Sequence, residues 1–248
     1  MQDLTSEALN IVAHRSNLNY STVRYCLECA VSQVMCEFFG VEDCEVDLDK
    51  KNVLVTFHVG SDMEIEEAEL FTSDPVYNDR IPAEFSFEVF RRDTVDEILE
   101  VFKDILREVE ADELEKKWRK KVHKAVEGVI EEKYPDRIEV DLGADVNGVM
   151  YKAEWTPREI PSYRQGKPFL FYVLKVVRRG SAVDVHLSRG SIGLPAEILK
   201  TLVPWAKVKT IRRIRGRKTW VRVRPAVPTE VLRDVSTKLN GEVVEVLT

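Results

Sequence analysis

The sequence predicts an α+β protein of several modules strung along an elongated chain, and three observations carry that expectation. Apolar residues recur at helical spacing near the start and again over residues 94–122, then switch to a period of two from residue 123. The charged fraction, 32% in a 248-residue chain that is 44% hydrophobic, is high for one compact core. The charge is also divided. Residues 151–248 hold 20 Lys+Arg against 8 Asp+Glu, a net of +12, so with a whole-chain charge of −6 residues 1–150 stand at −18. Halves of opposite sign point to two kinds of partner: a polyanion for the basic half and a protein for the acidic half.

The first predicted element is a short helix over residues 4–14. A second, N-capped by Ser21, ends near Gly40, with Val23, Leu27, Ala30, Val31, Val34 and Phe38 on its apolar face. "CEVDLDKKNVLVTFHV" alternates on both sides of Asp49-Lys50-Lys51-Asn52 and reads as a hairpin. Between Gly60 and Arg92 one strand stands out, "EFSFEVF". These elements make an N-terminal α+β domain over residues 1–92. Thr94 with Glu97 forms a capping box for a long helix, 93–122, whose stripe runs Val95, Ile98, Leu99, Phe102, Ile105, Leu106, Val109 and Trp118. At ~1.5 Å per residue it would be about 42 Å long and would separate two modules.

"AVEGVIEE", "RIEVDLG", "NGVMYKAEW", "PFLFYVLKVV" and "AVDVHLSR" are short, evenly spaced strands divided by Tyr-Pro-Asp, Gly, Pro and Arg-Gly turns. They predict a small closed barrel of the OB type over residues 123–190. Residues 191–248 read as helix, two strands, a helix stopping at Asn240-Gly241, and a last strand.

Several functions are not expected. No apolar run approaches the ~18 residues of a membrane span, and the polar start is unlike a signal peptide, so the chain is expected in the cytoplasm. Cys26, Cys29 and Cys36 share one helix with Cys44 beyond it, and one helix face does not converge four tetrahedral ligands; they read as reduced thiols. Asp184, His186 and Ser188 have the composition of a catalytic triad, but alternate residues of a strand lie ~6.8 Å apart, beyond proton-transfer reach. No phosphate loop or metal motif occurs, so neither enzymatic activity, a cofactor nor a metal is expected.

The sharpest feature is "IRRIRGRKTWVRVRP", residues 211–225, which carries no acidic residue. It is either a solvated edge hairpin or a polyanion surface. On its second strand Trp220, Arg222 and Arg224 fall on one face and Thr219, Val221 and Val223 on the other. A Trp flanked by guanidiniums suits base stacking and phosphate pairing. Arg212, Arg213, Arg215, Arg217 and Lys218 surround the turn and would add phosphate contacts without sequence information.

The order of modules resembles the bacterial transcription factor NusA. The barrel segment carries the likeness most closely, with its Gly-Val opening, Asp-Leu-Gly, Pro-Arg-Glu, Tyr-Arg-x-Gly and closing Leu-Ser-Arg; "ILKTLVPWAKVKTIRRIRGRKTWVRVRP" and "VLRDVSTKLNGEVVEVL" look like parts of a first KH domain. The likeness is good over residues 123–248 and weaker over 1–122. It implies RNA polymerase binding by the N-terminal domain, single-stranded nascent RNA binding by the basic half, an effect on pausing, termination or antitermination, and a monomer when free. On the barrel the basic and aromatic candidates are Tyr151, Lys152, Arg158, Tyr163, Arg164 and Lys167, because OB barrels present one strand face and its adjoining loops to single strands, and the resemblance implies Tyr151 as the base-stacking or base-flanking residue. Two features depart from the family. A KH domain clamps RNA with a GxxG loop between two helices, but only "PAVP" separates Arg224 from Thr229, so the clamp is missing and residues 191–248 form a truncated KH-like unit with little expected sequence discrimination. "GSIG", Gly190–Gly193, reads as a linker turn, and no second KH domain follows within the sequence. A free-standing RNA chaperone or a translation-associated single-stranded RNA-binding protein is the alternative reading.

Overall fold

The computed structural model describes residues 6–58, 80–143 and 146–247. Residues 59–79 lie outside them. The chain divides into two compact units, Met1–Glu110 and Ala111–Thr248, and it is mixed α+β, as expected.

The first unit begins with α1, Ser6–Ser16, and α2, Tyr20–Phe39. The α2 cap is Asn19, not Ser21. Asn19 is extended (φ −78°, ψ 155°) and its side-chain oxygen accepts the Thr22 N–H at 2.7 Å, while Ser21 already lies in the helix and donates its hydroxyl to Asn19. Gly40, in the left-handed region at φ 69°, closes the helix by donating to the Cys36 carbonyl. Val23, Leu27, Ala30, Val31 and Val34 are buried as expected, but Phe38 is 69% exposed. Its neighbour Phe39 takes the anchoring role, with ring centroids 4.5 Å from Phe85 and 5.8 Å from Phe57.

The hairpin pairs β1, Cys44–Asp47, with β2, Asn52–His58. Asp47 holds the turn by accepting the N–H groups of Asp49 and Lys50, each at 3.0 Å. On the other side of β2 lies β3, Arg80–Ser86, an edge strand that tolerates Pro82. The expected strand therefore starts earlier and stops sooner: Ser86 accepts the Glu88 N–H and turns Phe87–Val89 into a 3-10 helix. α3 spans Arg92–Arg119, ending short of Val122. The expected capping box does not form, because the Arg91 carbonyl already accepts the Val95 N–H and places Thr94 inside the helix. Ile98 and Phe102 are buried in the first core, with Val101, Ile105, Leu106 and Val109 against it. Leu114 and Trp118 join the core of the second unit instead.

That core is a closed five-stranded barrel, compatible with the expected OB type. Its strands are β4 (Ala125–Lys133), β5 (Arg137–Asp141), β6 (Asn147–Tyr151), β7 (Pro168–Arg179) and β8 (Ala182–Ser188), in the order β4-β5-β6-β8-β7 with β4 pairing back onto β7. β6 and β8 run parallel and the other neighbours antiparallel. β6 stops at Tyr151 rather than running on to Trp155, because Lys152–Glu154 turns into a 3-10 helix. Ile130, Ile138, Val140, Met150, Phe171, Val173, Val185 and Leu187 fill the interior.

The C-terminal elements are α4 (Leu194–Leu202), β9 (Lys207–Ile214), β10 (Lys218–Arg224), α5 (Thr229–Lys238) and β11 (Val243–Val246). The sheet runs β11-β10-β9, with β10 parallel to β11 and antiparallel to β9. Leu194, Ile198 and Leu199 of α4 and Val235 and Leu239 at α5 pack with Val221 and Val223 of the sheet. One sheet face is thereby covered. Among the described residues, no helix is long and apolar enough to cross a membrane.

Candidate nucleic-acid interface

The uncovered face of the C-terminal sheet collects basic residues around one tryptophan. Along β10, Thr219, Val221 and Val223 are buried, Arg222 and Arg224 exposed and Trp220 half-buried, the alternation read from the sequence. The register sets Arg212 opposite Trp220, Lys209 opposite Arg222 and Lys207 opposite Arg224. The guanidinium carbon of Arg212 lies 5.4 Å from the Trp220 ring centroid and the Lys218 ammonium 5.0 Å from it. Lys218 also pairs with Glu245 on β11. Lys207, Lys209, Arg212, Arg222 and Arg224 have no ion-pair partner among the described residues, so this face presents uncompensated positive charge.

Lys207 and Lys209 were missed in the sequence. A bulge between Trp220 and Val221 absorbs Ile211, so that Arg212 and Lys209, an odd number of residues apart, come to the same face. The signal available was the alternation of "KVKT", which pointed outward before the bulge.

Arg213 is a correction. Expected at the polyanion surface, it points to the covered side, where its side chain is 2% exposed. Its Nε and Nη2 each donate to Glu242 at 2.9 Å, and Glu242 also accepts the Gly216 N–H at 2.9 Å and the Thr219 hydroxyl. Burial alone would push the Glu242 carboxyl up, but the Arg213 hydrogen bonds and charge outweigh it and hold the group below the usual carboxylate range. Arg215 is partly committed as well: Nη1 donates to the Ala153 carbonyl at 2.7 Å, and a Cβ on Gly190 would sit 2.8 Å from its guanidinium.

These contacts seat the β9–β10 turn on the barrel. Gly216 takes φ 70°, and a Cβ there would meet Thr156 at 2.8 Å and Arg158 at 3.2 Å. Lys152 and Arg158 from the barrel thus come together with Arg215 and Arg217 from the hairpin, all exposed. Arg164 and Lys167 are exposed further along the connection, Arg164 Nε donating to the Pro161 carbonyl at 3.2 Å.

Tyr151 is 39% exposed and its ring lies 5.3 Å from that of His186. Arg137 stands opposite Tyr151 and over Tyr134 at 4.5 Å, and Lys175 stands opposite His186. Burial, then the Lys175 charge, push the His186 imidazole down and favour its neutral form. Asp184 pairs with Arg179 and Ser188 donates to Glu154, so the three alternating residues of β8 share no proton path.

Tyr163 is the second correction. It is buried, donating its hydroxyl to Glu159 at 2.9 Å and accepting the Thr156 N–H at 3.1 Å. Glu159, 1% exposed, pairs with Arg189, which is fully buried and also donates to the carbonyls of Leu170 and Lys238. The Pro-Arg-Glu, Tyr-Arg and Leu-Ser-Arg signatures therefore meet in one network joining the barrel to α5. "GSIG" forms the turn between β8 and α4, where Gly190 donates to Glu154 and Gly193 to the Ser191 hydroxyl, leaving neither amide for a phosphate.

No family model matches the chain, and no curated protein matches its sequence.

Proposed function

We propose that the chain is a NusA-like transcription factor that holds single-stranded RNA on its basic half and contacts RNA polymerase through its acidic N-terminal unit. The observation that carries the RNA reading is the outer face of β9 and β10. Trp220 offers a π-face, Arg212, Arg222 and Arg224 with Lys207 and Lys209 offer phosphate contacts, and none of these five cations has an ion-pair partner among the described residues. The barrel, read as an OB fold, adds Lys152 and Arg158 at the foot of the same hairpin and Tyr151 beside His186 on its own wall. β10 passes to α5 through residues 225–228 with no helix between them, which supports reading the unit as KH-like without its clamp. Binding would then be driven by charge and stacking rather than by base-edge recognition on this face.

The polymerase part rests on module order and on the −18 charge of residues 1–150, which disfavours nucleic acid there. Affinity capture of the full chain from its host, followed by identification of the polymerase subunits, tests it. Capture without polymerase, combined with tight RNA binding, would favour the free-standing RNA chaperone.

A further inference from the structure

The junction between the barrel and the C-terminal elements contains a groove of about 430 Å³ between β4 and β7 on one side and the end of α5 on the other. That volume lies within the ~300–1,000 Å³ of small-molecule sites. Its apolar floor is Phe169 and Leu170, its neutral polar wall includes Asn240, and its charged groups are Glu127, Lys167 and Lys238. Lys167 lies 5.6 Å from the Phe169 ring centroid, and none of the three charges has an ion-pair partner among the described residues. The width is fixed from beneath. Buried Arg189 donates to the Leu170 carbonyl on one wall at 2.6 Å and to the Lys238 carbonyl on the other at 3.3 Å. A pre-formed slot loses little freedom on binding.

We propose that this groove takes one guanine nucleotide of a bound RNA strand, with the base over the apolar floor, its Watson–Crick edge at Glu127 and its flanking phosphates at Lys167 and Lys238. A carboxylate has two acceptor oxygens and no donor. Guanine is the RNA base that offers it two adjacent donors, N1–H and the N2 amino group, whereas adenine and cytosine present one amino group beside an acceptor and uracil one N–H between two carbonyls. The groove would thus supply the base discrimination that the sheet face lacks.

This inference rests on the RNA-binding reading, and the test separates the two. Fluorescence anisotropy of the full chain is measured against an oligouridylate of about 12 nucleotides and against versions with one central guanosine, inosine or adenosine. The guanosine version should bind about tenfold more tightly than oligouridylate, ~1.4 kcal/mol, with inosine, which lacks the N2 amino group, between them. Glu127→Gln, an isosteric change at an exposed position, should abolish the guanosine preference while oligouridylate binds at least as tightly as before, because the change removes a negative charge facing the phosphates, with the thermal melt confirming the fold. Binding of all four oligonucleotides with equal affinity, or a preference that survives Glu127→Gln, overturns the guanine site and leaves the RNA reading standing. Failure of every oligonucleotide to bind overturns both.

Discussion

Trp220 on β10 faces Arg212 on β9 across the sheet, the guanidinium 5.4 Å from the indole ring, on the sheet face opposite the one that α4 and α5 cover. Arg213, the next residue, points the other way and is buried against Glu242 at 2.9 Å. One step along the strand separates a residue free to meet a polyanion from one that holds the fold.

Removing Arg213 should therefore cost stability before it costs RNA affinity. Arg213→Ala leaves Glu242 charged and buried, a change worth about 3–5 kcal/mol. Denaturant unfolding of this variant beside Arg212→Ala checks it. Arg212→Ala should melt close to wild type, because its side chain is exposed and makes no ion pair among the described residues.

The same pair sets an acid limit. Glu242 is held below the usual carboxylate value, so its stabilising contribution is fully present above about pH 4.5 and is lost as pH falls from there through the lower folded value. Glu242→Gln should flatten the fall in melting temperature over that acid range. An equally steep fall in the variant would assign the acid sensitivity elsewhere.

A second buried pair joins the barrel to α5. Arg189→Ala strands Glu159 beside the Tyr163 hydroxyl and should lower stability by about 3–5 kcal/mol, whereas replacing both partners, Arg189→Met with Glu159→Leu, should restore part of the loss. A double variant no better than Arg189→Ala would mean the carbonyl bonds to Leu170 and Lys238 matter more than the charges.

Gly216→Ala places a methyl 2.8 Å from Thr156 in a left-handed turn, so it should destabilise by about 1 kcal/mol or more. It should also weaken RNA binding if Arg158 and Arg217 work together, since the turn must lift from the barrel. Melting temperature and RNA affinity measured on the same sample separate the two effects.

The barrel was legible because its strands alternate cleanly and turn residues divide them; Ala125, Arg137, Asn147, Pro168 and Ala182 open strands where the pattern placed them. The side of Arg213 was not legible, because adjacent arginines look alike until Glu242, twenty-nine positions away, comes beside one of them. Likewise Phe38 and Phe39 differ only in which one Phe57 and Phe85 can reach. The caps failed locally: Asn19 and Ser21 are both competent, and the chain uses the one already extended. Lys207 and Lys209 joined the interface through a bulge, which strict alternation does not foresee.

If the outer sheet face binds single-stranded RNA, RNA affinity measured across a salt series will read out its stacking and phosphate contacts separately. Trp220→Ala should remove a stacking contact worth ~1–3 kcal/mol. Arg222→Ala and Arg224→Ala should each reduce the slope of log affinity against log salt by about 0.7, since each releases fewer counterions from a single strand. Unchanged affinity and slope in all three variants, with melts confirming the fold, would contradict the claim and leave this hairpin a solvated edge.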